Sequence, residues 1–200
     1  MQKETRETVQ DEVRKAMSYS TYRELIGRLL SEDKTTGPNQ SEALTHYTKM
    51  NDHRMSRWDK RVELLPELKS ALENLSGNYI WLVVTEGWCG DAAQNLPAIH
   101  KMAELNPMIS LRIVLRDQNL ELMNEYLTNG GQSIPKLIQT QDNEVTGTWG
   151  PRPTVATNMV QEYKEKHGSV DAEFKKELQL WYNKDKNESL FSDFLSFPVK

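Results

Sequence analysis

Residues 79–97 read YIWLVVTEGWCGDAAQNLP. The opening run, 79–84, is continuously apolar and rich in β-branched and aromatic side chains, which suits a strand covered on both faces. From residue 89 the pattern changes to helical spacing, with Leu96, Ile99 and Ala103 on one face. Cys89, the only cysteine of the chain, therefore falls at the first turn of a helix that follows a buried strand. A thiol in that place faces unpaired backbone N–H groups and the positive end of the helix dipole, and both favour the thiolate.

Working outward, ISLRIVLR (109–116) alternates as a strand and QNLELMNEYLTNGG (118–131) reads as a helix ending at Gly130-Gly131. PKLIQT and EVTGTW flank QDN as a hairpin. The order over 79–149 is strand, helix, strand, helix, strand, strand. Strand–helix–strand favours a parallel pair with a right-handed crossover, and the hairpin adds antiparallel strands.

Both flanks read as helices. Val9, Val13 and Ala16/Met17 recur at helical spacing, as do Tyr22, Leu25, Ile26, Leu29 and Leu30 after a cap at Ser20 or Thr21. Ser41 is expected to cap a helix carrying Leu44, Tyr47, Met55 and Trp58, and Pro66 to open another that Gly77 closes. After GPRP (150–153), Val155, Met159 and Tyr163 mark one helix. Val170, Phe174, Leu178 and Trp181 mark another, which Phe191, Phe194 and Leu195 extend or follow. The expected organisation is an N-terminal helical extension over 1–76, an α/β core over 77–150, and C-terminal helices over 151–200 packing on that core.

The chain has 200 residues, 27% of them charged, with a net charge of −4. That length buries a sizeable core without disulfides or metals. The charge balance lacks the basic excess of a general nucleic-acid binder. No run approaches membrane-spanning length. With one cysteine and a polar start, the expectation is a cytoplasmic protein. His46, His53, His100 and His167 are scattered, so no metal site and no cofactor is expected.

Four features together resemble the thioredoxin fold. Trp88-Cys89-Gly90 follows a buried strand and opens a helix; Pro97 lies inside that helix; Ile134-Pro135 precedes a strand; and Gly150 follows the hairpin. Within this region EGWCGDA, RDQN, GGQSIPK and WGPRP look like a bacterial family of thioredoxin-like proteins that lack the second cysteine. The resemblance implies a central mixed sheet flanked by helices, with Cys89 as nucleophile. It implies a cis bond before Pro135, and a docking surface of Trp88, Ile134, Pro135 and Gly150. Gly90, Asp91, Arg116 and Arg152 are accessory candidates. Either arginine is placed to approach Cys89 or to hold a substrate carboxylate, or else is an ordinary surface or capping residue.

The departures from the family pattern are as informative. Ala92 stands where the resolving cysteine would be, so a dithiol cycle within one chain is excluded. Val83 stands where thioredoxins hold a buried acid that served that second thiol. Asp91 replaces proline; it suits a helix N-terminus but opposes a neighbouring thiolate. Glu86 occupies the position where a peroxiredoxin carries a hydroxyl residue, which argues against that chemistry. The leading expectation is thiol–disulfide exchange through Cys89 with a protein disulfide or a low-molecular-weight thiol such as glutathione, resolved from outside. The alternatives are a non-catalytic module binding a peptide or small ligand in the same groove, and a redox sensor that dimerises through Cys89.

Overall fold

The computed structural model describes residues 2–197, with side chains described from residue 9 onward. Four strands form one mixed sheet: β1 (Tyr79–Thr85), β2 (Ile109–Leu115), β3 (Lys136–Gln141) and β4 (Glu144–Trp149). The spatial order is β2-β1-β3-β4. β1 runs parallel to β2, with Tyr79 opposite Ile109 and Thr85 opposite Leu115. β3 pairs antiparallel to both β1 and β4, and a register shift between Gln139 and Thr140 bends the hairpin. Asp142 and Asn143 at its tip both have positive φ, as a tight hairpin turn requires.

Strand β1, buried at every position except the half-buried Ile80, divides its side chains between two layers. Tyr79, Trp81 and Val83 face one cluster, Leu82 and Val84 the other. Against the first face packs α5 (Gly90–Ala103) through Leu96, Ile99 and Met102. The same cluster recruits Tyr22 and Ile26 from α2 (Tyr19–Ser31), Met55 from α3 (Glu42–Arg61), and Leu68 and Leu72 from α4 (Pro66–Glu73). Leu190, Phe191 and Phe194 of α9 (Glu188–Ser196) complete it. Burying each of these larger apolar side chains stabilises the fold by roughly 1.5–3 kcal/mol. The opposite face is covered by Leu122 and Met123 of α6 (Leu120–Glu125) and by Val9 of α1 (Gln2–Lys15). The fold is thus the expected α/β arrangement, a mixed sheet flanked by helices with helical extensions at both ends, and one hydrophobic cluster draws on residues from all three stretches of the chain.

Several boundaries differ from the sequence expectation. Ser18, not Ser20 or Thr21, caps α2, and its Oγ accepts the Thr21 N–H at 3.1 Å. Met17 is not helical. Its backbone exchanges two hydrogen bonds of 2.8 Å with Ile113, so the α1–α2 link covers the outer edge of β2. Ser41 does cap α3, accepting the Leu44 N–H at 3.2 Å. The inward stripe of α3 begins with polar Thr48 and Asn51, while Tyr47 is exposed. α4 ends at Glu73, and Gly77, with φ +108°, turns the chain into β1 instead of closing the helix. α6 stops at Glu125, because Asn129 and Gly130 turn left-handed and Thr128 pairs with Gly131. Lys186 and Asn187 are also left-handed, and they separate α8 (Ala172–Asp185) from α9.

Candidate functional site

β1 ends at Thr85, and the loop 86–89 carries the chain across the carboxyl edge of the sheet into α5. Cys89 is the N-cap of α5. Its Sγ accepts the Ala92 N–H at 3.5 Å and donates to the Ile134 carbonyl at 3.2 Å. Both the Ile134–Pro135 and the Gly150–Pro151 peptide bonds are cis. Gly150 has φ +111°, and a Cβ there would stand 2.2 Å from the Pro135 carbonyl oxygen. The hairpin end and the Ile134–Pro135 loop therefore meet backbone to backbone, and only glycine permits that approach. Trp88 is half-buried beside the cysteine, with the Arg116 guanidinium 4.8 Å from its ring centroid.

Asp91 lies in the first turn of α5, nearly enclosed. Arg152 pairs with it at 2.7 Å and the Tyr182 hydroxyl donates to it at 3.0 Å. Burial raises the Asp91 carboxyl above its ordinary value, against the downward pull of Arg152 and Tyr182. Next along the helix, Gln94 Oε1 accepts from Trp58 of α3 at 2.6 Å, and its Nε2 donates to Gln179 of α8 at 2.8 Å. The Gln179 amide nitrogen and the Arg54 guanidinium lie 3.4 and 3.8 Å from where a Cβ on Gly90 would sit. The start of α5 is thus covered by α3 and α8.

On the other side of the loop, Glu86 is completely buried. Its Oε1 accepts the Asp117 N–H at 2.9 Å. Thr36 Oγ1 accepts the Gly87 N–H at 2.8 Å, and Asn51 donates to the Gly87 carbonyl at 3.0 Å. Burial raises the Glu86 carboxyl above the usual range, the backbone N–H of Asp117 opposes this, and the Asp117 charge adds to it. Asp117 is itself paired with Arg116 at 2.8 Å.

These surroundings set the state of the thiol. Cys89 is 7% exposed, and its pKa is pushed up to about 12. Burial is the largest cause and the Asp91 charge the next. The backbone N–H groups of Ala92 and Asp91, and the more distant Arg152, act in the opposite sense and lose. In this closed arrangement Cys89 is a neutral thiol donating to a carbonyl.

The structure brings Trp88, Cys89, Gly90, Ile134, Pro135 and Gly150 to one edge of the sheet. It pairs Arg152 with Asp91, within electrostatic reach of Cys89, and Arg116 with Asp117 and over the Trp88 ring. Sequence reasoning missed Gln94, Gln179 and Tyr182, which link α5 to α8 across a long sequence separation and carry no local signal. Asn51 was legible in principle, as a polar residue one helical turn from Met55 on the buried stripe. Among the described residues no group of three or more His, Cys, Asp or Glu converges to hold a metal ion, and no helix is long and apolar enough to cross a membrane.

No curated protein matches the chain. Among solved structures it resembles a protein of unknown function, PA1234, from Pseudomonas aeruginosa. That likeness has 18% identity and a TM-score of 0.57, covering 76% of this chain and 87% of that one. It also resembles an HIV epitope-scaffold, at 18% identity and TM-score 0.57, covering 90% of this chain and 96% of that one. At this identity the two likenesses speak to the fold alone. A family model described as Thioredoxin matches residues 37–164, from the loop that covers Glu86 to the far end of α7 (Thr154–His167). A match that takes in the sheet, the Cys89 turn and the Ile134–Pro135 loop, over more than half of the chain, makes this protein a member of the thioredoxin family.

Proposed function

We propose that this protein exchanges disulfides through Cys89 alone, with an outside thiol completing the cycle. The observation that carries the reading is the meeting of three things at one point: the Cys89 sulfur, the N-terminus of α5 and the Ile134 carbonyl ahead of Pro135. An extended substrate peptide pairs with the Ile134 backbone once the thiol releases that carbonyl, and Trp88 and Gly150 shape the rim. Cys89 first gives its proton to solvent. The thiolate attacks one sulfur of a protein disulfide, a Cys89 S–S bond forms as the old one breaks, and the departing sulfur leaves as a thiolate that takes up a proton. A low-molecular-weight thiol such as glutathione then attacks the mixed disulfide and loses its own proton. Cys89 returns as a thiol and a new disulfide is released, so one disulfide is consumed and one is formed. Ala92 supplies no thiol, so the second attack is intermolecular.

A second reading is favoured by one specific observation, the burial of Cys89 and the neutral thiol this enforces. In that reading the chain is a non-catalytic binding module and the sulfur only packs. Incubation with glutathione disulfide followed by mass spectrometry separates the two. Exchange predicts a Cys89–glutathione adduct that added thiol removes, and that Cys89→Ser abolishes. Absence of any adduct over hours, with the protein folded, leaves the binding module as the reading that stands. Under that reading Ile134→Asp, not Cys89→Ser, abolishes function.

A further inference from the structure

We propose that the α7–α8 hairpin is a hinged lid that closes over the start of α5 and holds Cys89 latent. This deepens the exchange reading and rests on it. The first argument is the composition of the lid's own core. Ala156, Val160, Phe174, Leu178 and Tyr182 form a hydrophobic cluster separate from the two that sandwich the sheet. The buried apolar side chains of the hairpin pack on one another, and α7 is also tied to α9 through the Thr154 N–H, which donates to Asp193 at 2.9 Å.

The second argument is the character of its seat. Tyr182 donates to Asp91 at 3.0 Å, Gln94 donates to Gln179 at 2.8 Å, and Arg57 donates to Asn183 at 2.6 Å. The Arg152–Asp91 pair fastens the strap that leads into α7. Polar links of this kind exchange for water at small net cost, about 0.5–1.5 kcal/mol each. An apolar interface would resist opening far more strongly.

The third argument is that both ends of the hairpin are fixed. At one end Gly150 is locked against the Pro135 carbonyl. At the other, α9 is held by apolar packing, with the Phe194 ring 5.3 Å from Trp81 and 5.7 Å from Trp149. Between α8 and α9 the left-handed pair Lys186–Asn187 interrupts the helix and offers a bend. The lid therefore opens without loss of α9 or the sheet. Opening takes Gln179, Tyr182 and Arg152 away from Gly90 and Asp91 and lets water reach the first turn of α5, next to the sulfur.

The test is the rate at which a small aromatic disulfide, DTNB, labels Cys89 in the full chain, followed with urea added below the unfolding transition. In the wild type the rate is expected to depend only weakly on urea, because the lid opens by a small movement. In Gln179→Ala/Tyr182→Phe the rate is expected to rise roughly tenfold or more with circular dichroism unchanged. Asn183→Ala, which leaves the residues beside Asp91 in place, is expected to raise it by a smaller factor. Unchanged rates in both variants overturn the lid, as does a wild-type rate with the full urea dependence of global unfolding. Labelling reads exposure, not turnover. Rapid labelling of the variants without any glutathione adduct therefore keeps the lid and removes the exchange reading.

Discussion

At Cys89 two opposed influences act on one sulfur. The N-terminus of α5 offers it an N–H at 3.5 Å, and this favours the thiolate. Burial and the Asp91 carboxylate favour the thiol, and they win. The consequence is measurable. Ultraviolet thiolate absorbance of the native protein is expected to rise only at pH values approaching 12, and an ordinary titration near pH 8.5 would show that the sulfur is solvated. Because folding raises this acid's pKa, the stability it contributes is complete below the unfolded thiol pKa and is lost as pH climbs toward the folded value. Glu86 follows the same logic at lower pH. Its carboxyl is raised chiefly by burial, so its contribution is complete below the unfolded carboxylate pKa and falls as pH rises through the folded one. Glu86→Gln keeps an acceptor for the Asp117 N–H and removes the buried charge. Well above the folded carboxyl pKa it is expected to raise stability by about 1 kcal/mol, or roughly 2–4 °C in Tm, and to remove the fall in stability with rising pH that the native carboxyl imposes. A fall in Tm at that pH would mean that the charge is needed where it lies.

Elements were legible wherever local pattern and tertiary demand agreed. β1 and β2 could be read from their apolar runs, and α5 from its spacing, because the same periodicity that marks them also buries them. The inward stripe of α3 was half hidden, since Thr48 and Asn51 are buried by bonds to the 35–37 and 86–87 loops and not by apolarity. α6 was read too long, because its last turns carry apolar residues whose backbone the Asn129–Gly130 reversal takes out of the helix. The site showed the same division. Cys89 could be placed at a helix start from the change of period, and Pro135 and Gly150 only through the resemblance to the thioredoxin fold, whereas the Asp91–Tyr182 contact joins α5 to α8 with nothing local to announce it. Gly150 is the junction most exposed to test. Its φ of +111° and the 2.2 Å approach of the Pro135 carbonyl leave no room for a methyl group. Gly150→Ala is expected to cost about 3 kcal/mol or more, by driving the β4 end away from the Ile134–Pro135 loop. Chemical denaturation measures that loss, and a cost below about 1 kcal/mol would show the junction to be pliable.

Across the whole molecule, stability is distributed unevenly. The large cluster ties α2, α3, α4, α5 and α9 to one face of the sheet, and it contains Trp81, Tyr22, Phe191 and Phe194 as fully buried side chains. The α7–α8 cluster is smaller and stands apart, joined to the rest mainly by side-chain hydrogen bonds. Elements that bury little shared apolar surface open sub-globally, at free energies well below that of global unfolding. Native-state hydrogen exchange should therefore resolve two tiers. The amides of β1, β2, α5 and α9 are expected to exchange only through global unfolding, with the full denaturant dependence. Those of α7 and α8 are expected to exchange earlier, with a shallow dependence, although they lie between Gly150 and α9 in the chain. Sequence position alone predicts that protection declines steadily toward the C-terminus. The separation of clusters predicts instead that α9 is better protected than the hairpin before it, because Phe191 and Phe194 belong to the central core and Phe174 and Leu178 do not. If α7, α8 and α9 exchanged as one unit, the C-terminal helices would be a single docked arm and the boundary at Lys186–Asn187 would have no energetic meaning.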